Sequence, residues 1–145
     1  MPEIREISST ETYVVRHPVL RPGKPMETCR FDGDDLGNTT HFGLYENGEI
    51  AGVASLFRNS HPAFNEFRQF QLRGMAVLEE FQGRSFGQAL VDAAEDKARR
   101  AAADLIWFNA RLIAVGFYEK MGYKITGKPF EIGDIGPHYV MFKRM

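Results

Sequence analysis

Between Val77 and Gln88 the sequence reads VLEEFQGRSFGQ. A β-forming run ends, glycines interrupt it, and a helix-forming run begins. Such a turn points free backbone N–H groups outward, and the helix adds about half a positive charge at that end. A diphosphate is the natural ligand of this geometry. Gly83 and Gly87 permit close backbone approach, and Arg84 adds a full charge. The competing reading is a tight turn that needs glycine only for its dihedrals.

Three known patterns compete for the segment. The nucleotide P-loop requires Gly-Lys-Ser/Thr, which is absent. The dinucleotide fingerprint requires G-x-G-x-x-G, which GRSFGQ does not supply. Gly83-Arg84-Ser85-Phe86-Gly87 does match the nucleophile elbow G-x-S-x-G, with Asp104 and His138 following in hydrolase order. An elbow needs its strand to run straight into the serine, and Leu78–Gln82 intervenes.

Other polar clusters carry weaker chemistry. FDGDDLGN at 31–38 has Asp32 and Asp34 at the first and third positions of a calcium loop. Leu36 and Gly43 fall where further oxygen ligands belong, so it reads as a solvated acidic loop. His17, His41, His61 and His138 lack paired zinc spacing, and no metal is expected. Cys29 is alone and reads as a small buried residue; Trp107, inside LIWFNA, reads as core.

These residues need elements to hold them. Ile4 and Ile7 suggest a first strand. Ser8, Ser9 and Thr10 offer helix caps, Glu11 suits the first turn, and Tyr13, Val14, His17 and Leu20 follow helical spacing. Pro18 and Pro22 are expected to limit that helix. His41–Tyr45 and Ile50–Phe57 flank Asn47-Gly48, the signature of a type I′ hairpin. A loop over 59–67 leads to a strand at Phe70–Val77. Phe86, Leu90, Ala93, Ala94 and Ala101 predict a helix from about Ser85 to Ala102. A buried strand Leu105–Ala110, a short helix Ile113–Lys120 ended by Gly122, and strands at Tyr123–Thr126 and His138–Met145 around a GDIGP turn complete the chain. The fold class is α/β (α+β), in one domain over 1–145, with one parallel strand pair and antiparallel early and late hairpins.

Composition narrows the function. The chain has 145 residues, 18 Lys+Arg against 19 Asp+Glu, and a formal net charge of −1. That balance argues against a nucleic-acid binder, which needs a basic face. One cysteine excludes a disulfide-built scaffold. No apolar window reaches membrane-span length and the N-terminus lacks a signal-peptide core, so a cytoplasmic protein without membrane partners is expected.

Gln82-Gly83-Arg84-Ser85-Phe86-Gly87 resembles the Gln/Arg-x-x-Gly-x-Gly/Ala signature of the GNAT superfamily of N-acetyltransferases. It follows Arg73-Gly74-Met75-Ala76-Val77-Leu78, and Phe117-Tyr118-Glu119-Lys120-Met121-Gly122-Tyr123 resembles the family's FYEKxGF segment. The element order agrees over about the whole chain. LRPGKP and Gly136-Pro137-His138-Tyr139 look like a branch of small bacterial-type members. Ser85 stands where the signature usually has Gly, so its hydroxyl becomes a candidate phosphate donor.

The resemblance implies a mixed central sheet splayed at the cofactor site, with helices on both faces. It implies acetyl-CoA as cosubstrate and a primary amine of a small molecule or peptide as acceptor. The diphosphate is expected on Gln82, Gly83, Arg84, Ser85, Phe86 and Gly87. The pantetheine arm is expected along Met75, Ala76 and Val77, within reach of Asn109, and Tyr118 near the thioester sulfur. A positioned phenol suits protonation of the departing thiolate, although a Tyr that merely packs is also compatible. Glu66, Glu79 and His41 are the candidates for general base. The aromatic loop around Phe64 and Phe67 is read either as acceptor-pocket wall or as a homodimer surface. A catalytically silent acyl-CoA-binding or regulatory module on the same fold is the alternative function.

Overall fold

Asn47 and Gly48 adopt φ of +52° and +82°, the two positive values a type I′ turn requires. They join β2 (Thr40–Glu46) to β3 (Glu49–Phe57) in the expected hairpin. The structure, a computed structural model, describes residues 2–133 and 135–145. Its other strands are β1 (Glu3–Ile7), β4 (Gln69–Val77), β5 (Leu105–Arg111), β6 (Lys124–Ile132) and β7 (Gly136–Arg144). The helices are α1 (Tyr13–Leu20), α2 (Phe86–Arg100) and α3 (Val115–Lys120).

All the strands form one seven-stranded sheet in the order β1-β2-β3-β4-β5-β7-β6. The β4–β5 pair is parallel and the other pairs are antiparallel. The chain passes from β4 to β5 through α2, the long crossover that a parallel pair needs. The helices lie on both faces. The apolar stripe of α2, with Phe86, Leu90, Val91, Ala94 and Ala98, packs on Leu44, Leu56, Leu72, Ile106 and Phe108. Leu90 is fully buried, worth about 1.5–3 kcal/mol relative to exposure. On the opposite face Val15 of α1 packs against Val53 and Ala76.

Several local expectations change in detail. The first helix opens as a 3-10 turn at Thr10–Thr12, held by Glu11 Oε1 accepting from Ser8 N and Ser8 Oγ, both at 2.9 Å. Pro18 does not end α1, which continues to Leu20. Proline removes a single ladder donor there, and the backbone N–H of Arg21 closes the helix on Arg16 and His17. The FDGDDLGN loop is not simply solvated. Asp34 is buried, because its carboxylate takes the guanidinium of the equally buried Arg16 at 2.7 and 3.1 Å. β6 runs to Ile132, six residues beyond expectation, with an irregular register between Thr126 and Phe130. Tyr123 precedes β6 and donates its hydroxyl to the Glu95 carboxylate. In the GDIGP turn, Asp134 lies outside the described residues and β7 already begins at Gly136.

Candidate active site

β4 and β5 pair over three positions only: Gln69 with Leu105, Phe70 with Ile106 and Gln71 with Trp107. Beyond these, β4 continues against β3 as far as Val77, and β5 against β7 as far as Arg111. The two strands therefore separate while each keeps its other neighbour.

A bulge in β4 sits where the separation begins. Arg73 stands opposite Ser55 and Ala76 opposite Val53, so Gly74 and Met75 together face the single residue Ala54. Gly74 has φ +63°, and a Cβ there would lie 2.8 Å from Cε2 of Phe31. Only glycine fits. Leu78 N donates to Ala51 O at 2.8 Å, on the β3 side. Strand alternation then turns the backbone groups of Val77 and Met75 toward the split. The Gln82 side chain donates Nε2–H to Val77 O at 3.0 Å and takes up one acceptor there. The split opens into a cleft of about 550 Å³ bordered by Met75, Ala76, Val77, Gln82, Asn109 and Tyr118.

The turn after β4 carries a 3-10 segment, Glu79–Phe81, before α2 begins. Gly83 has φ +82°. Ser85, the N-cap of α2, is also left-handed at φ +63°, a conformation costing a side chain-bearing residue about 1–2 kcal/mol. No side chain caps the helix, and its first turn holds no acid, while Lys97, Arg99 and Arg100 fill its last turn. The positive end of α2 is thus left open to an anion. Arg84 is exposed, with its guanidinium 5.4 Å from the Phe81 ring. Phe86 is buried in the core, so at the turn it offers only backbone.

Tyr118 sits on α3 beneath the split. Its ring packs 4.3 Å from that of Phe108 and 5.0 Å from that of Phe117. Burial pushes its phenol up to about 12, so the hydroxyl keeps its proton near neutral pH and can donate it in a hydrogen bond. Asn109 is exposed on β5 and also borders a second cavity of about 420 Å³ with Trp107, Phe130 and Val140.

The three general-base candidates do not border the cleft. Glu66 pairs with Arg144, and Glu79 is exposed in the turn. His41 is buried, with Nδ1 on Ser55 Oγ and Nε2 on the carbonyl of Asp34. The hydrolase triad is not assembled either. Asp104 precedes β5 and accepts from Arg68 N, whereas His138 pairs with Arg111 at the strand's other end, about 20 Å away at ~3.3 Å per residue. Phe64 is core against Trp107 and Val140, while Phe67 is exposed.

Sequence reading missed Arg21, Arg73 and Arg111 and weighed His138 only as a triad member or zinc ligand, yet all four border the cleft. A signal was present. In QFQLRGMAV the polar residues Gln69, Gln71 and Arg73 alternate with apolar ones inside a strand paired on both sides. A cation at such a position faces something other than bulk water.

The acetyltransferase (GNAT) family model matches residues 1–123. The uncharacterized N-acetyltransferase YitI of Bacillus subtilis (strain 168) is 37% identical over 145 residues, all of this chain and 97% of that protein. A putative N-acetyltransferase from Lactobacillus plantarum superposes with a TM-score of 0.78 at 21% identity, covering 99% of this chain and 97% of that one. A Bacillus subtilis acetyltransferase in complex with CoA superposes with a TM-score of 0.69 at 18% identity, covering 99% and 97%. The chain belongs to the GNAT acetyltransferase family.

Proposed function

We propose that the protein is an acetyl-CoA-dependent N-acetyltransferase acting on a primary amine of a small molecule or peptide by direct attack. The observation that carries this reading is the split between β4 and β5, which joins an uncapped, glycine-bearing helix start to a buried phenol. A solved neighbour is a complex with CoA, and its fold covers this chain almost entirely.

The residues fit such a cosubstrate. N–H groups of 83–87 and the charge of Arg84 would hold the diphosphate, with the Ser85 hydroxyl as a further donor. Backbone groups of Met75 and Val77 would pair with the amides of the arm, and Asn109 would reach it from the facing strand. The cosubstrate supplies a thioester carbonyl. In the transfer a C–N bond forms from the amine lone pair, the C–S bond breaks, and the thiolate takes a proton. Tyr118 donates its hydroxyl to that sulfur. A thiol titrates near 8.5 in water, so a phenol raised to about 12 holds the thiolate by a hydrogen bond more readily than it yields its proton. The amine must shed a proton, and His138 is the one imidazole among the described residues of the cleft. Its Nδ1–H donates to Gly136 O at 2.9 Å, which leaves Nε2 to accept.

Thiol release from acetyl-CoA across a panel of amines, beside a calorimetric titration with CoA, tests the reading. Release with at least one amine and saturable CoA binding are expected. Binding without turnover on any amine would instead favour a silent acyl-CoA-binding module.

A further inference from the structure

Three arginines border the cleft. Arg21 follows α1, Arg73 lies in the middle of β4, and Arg111 ends β5, so three elements deliver three guanidinium groups to one cleft. Among the described residues no Asp or Glu borders that cleft, and none of them forms an ion pair with the three arginines.

The neighbourhood explains why these charges stay available. Arg16 lies beneath them, fully buried, and the Asp34 carboxylate is committed to it through two hydrogen bonds. Phe31, which borders the cleft, has the Arg16 guanidinium 3.9 Å from its ring centre, Arg73 at 4.8 Å and Arg21 at 5.7 Å. Arg73 also lies 5.2 Å from the Phe57 ring. Phenyl faces orient guanidinium groups without neutralising them. Burial and the nearby Arg16 charge push the Arg73 guanidinium below its ordinary range, and the carboxylates of Asp34 and Asp32 offset that only in part. Arg21 and Arg73 are half-buried and Arg111 is exposed, and a half-buried arginine without an anion is costly. Their planar forks match the two oxygens of a carboxylate or phosphate.

We propose that the acceptor amine carries an oxyanion group, a carboxylate or a phosphate, bound by Arg73 and Arg111 with Arg21 alongside, which places its amino group at the strand split. This inference rests on acetyl transfer occurring in the same cleft. It predicts that acceptors dominated by positive charge, such as polyamines, are excluded by repulsion.

The test compares matched amines by initial rates of thiol release. Glycine, β-alanine, phenylalanine and glutamate form the carboxylate arm, and O-phosphoethanolamine the phosphate arm. Ethylamine, phenethylamine, ethanolamine and spermidine form the uncharged-group and cationic arm. At least tenfold higher kcat/KM is expected for the best oxyanion-bearing amine than for its counterpart lacking that group. Whichever anionic arm leads identifies the oxyanion. In Arg111→Gln, an exposed substitution, that preference should fall toward unity through KM, with acetyl-CoA affinity unchanged. Arg73→Lys keeps the charge but loses the fork, and should lower the preference less than Arg73→Gln. Equal or better turnover of the uncharged or cationic amines overturns the proposal while leaving acetyl transfer intact, as does a preference unmoved in both Arg111→Gln and Arg73→Gln. Silence across the panel despite acetyl-CoA binding also overturns it. Absence of acetyl-CoA binding overturns the transferase reading itself, and this one with it.

Discussion

The first residues of β4 and β5 pair as ordinary parallel strands, whereas their last residues face each other across a cleft. At the closed end the side chains are Phe70, Ile106 and Trp107, all buried, and the Trp107 indole N–H donates to Asn59 O at 2.9 Å. At the open end stand Gly74, Met75, Asn109 and Arg111, none of them buried. Both ends belong to one sheet, and both strands keep their outer partners. The difference lies in what the sequence spends there: apolar volume where the strands must meet, and a glycine bulge with polar side chains where they must part. A sheet can therefore hold a ligand site in its middle by leaving the last four residues of β5 and the last six of β4 unpaired with each other, provided that neighbouring pairs stay closed.

The largest effects should come from occluding the open end. Gly87 lies in the first turn of α2 without positive φ, and a Cβ there meets Phe117 and Met75 at ordinary contact distances of 3.5 and 3.7 Å. Gly87→Val should fold, yet cover the N–H groups of the turn. Loss of two charge-assisted bonds is worth about 3–6 kcal/mol at the upper end. Calorimetry should show CoA binding weakened by at least 100-fold. Unchanged affinity would remove the diphosphate from this turn. Arg84→Ala should lose less, because most donors there are backbone.

Tyr118→Phe keeps the ring packed on Phe108 and removes only the hydroxyl. A positioned donor contributes roughly 10²–10⁴-fold, so turnover should fall by that factor with acetyl-CoA affinity little changed. A rate within threefold of the parent, where transfer limits turnover, would assign stabilisation of the departing sulfur to water. The same variant has an alkaline signature. The phenol is raised in the folded state to about 12 from an ordinary value near 10. Its contribution to stability is present in full below about pH 10 and is lost as pH rises toward 12. Urea midpoints between pH 9 and 12 should fall less steeply in Tyr118→Phe.

Gly74→Ala tests the origin of the split. The left-handed backbone costs alanine about 1–2 kcal/mol, and the 2.8 Å approach to Phe31 adds overpacking of about 1–3 kcal/mol. A loss of roughly 2–5 kcal/mol in unfolding free energy is expected, together with weaker CoA binding. The contrasting change at the closed end is Trp107→Phe, which removes the donor to Asn59 O and should cost about 1–3 kcal/mol. It should leave CoA affinity as it was. If Trp107→Phe weakened CoA binding as much as Gly74→Ala, the two ends would not be separate devices.

What was legible in the sequence is local. Asn47-Gly48 needs no partner to specify its turn, and the glycine turn and the FYEK segment are each contiguous, so the first is read from its residues and the other two from their resemblance to family motifs. What was not legible depends on distant chain. β7 inserts between β5 and β6 because its Val140 and Met141 complete the cores on the two faces of β5, which no window around His138–Met145 reveals. Asp34 looks like loop composition until Arg16, eighteen residues earlier, arrives beneath it. His41 looked like a base because its burial and its bonds to Ser55 and Asp34 are tertiary facts. The arginines of the cleft come from three segments, and only Arg73 left a trace, as a charge inside a strand.

The smallest effect belongs to Ser85, where this chain departs from its family's glycine. The residue holds φ +63° and ψ +22° and makes no capping bond, so its hydroxyl does nothing for the helix that would offset its strained backbone. Ser85→Gly should relieve the left-handed strain of about 1–2 kcal/mol, less about 0.5–1 kcal/mol for the greater freedom of glycine in the unfolded chain. The expected net is a gain of up to about 1 kcal/mol, read as a small rise in urea midpoint. The CoA titration of the same variant shows what the serine is for. If its hydroxyl donates to a phosphate oxygen, affinity drops by about 1.5–3 kcal/mol even as the protein grows more stable, the net worth of one bond to a charged group. If affinity holds or rises, the serine is tolerated at this position without a role at the phosphate, and the open end relies on backbone N–H groups and Arg84 alone.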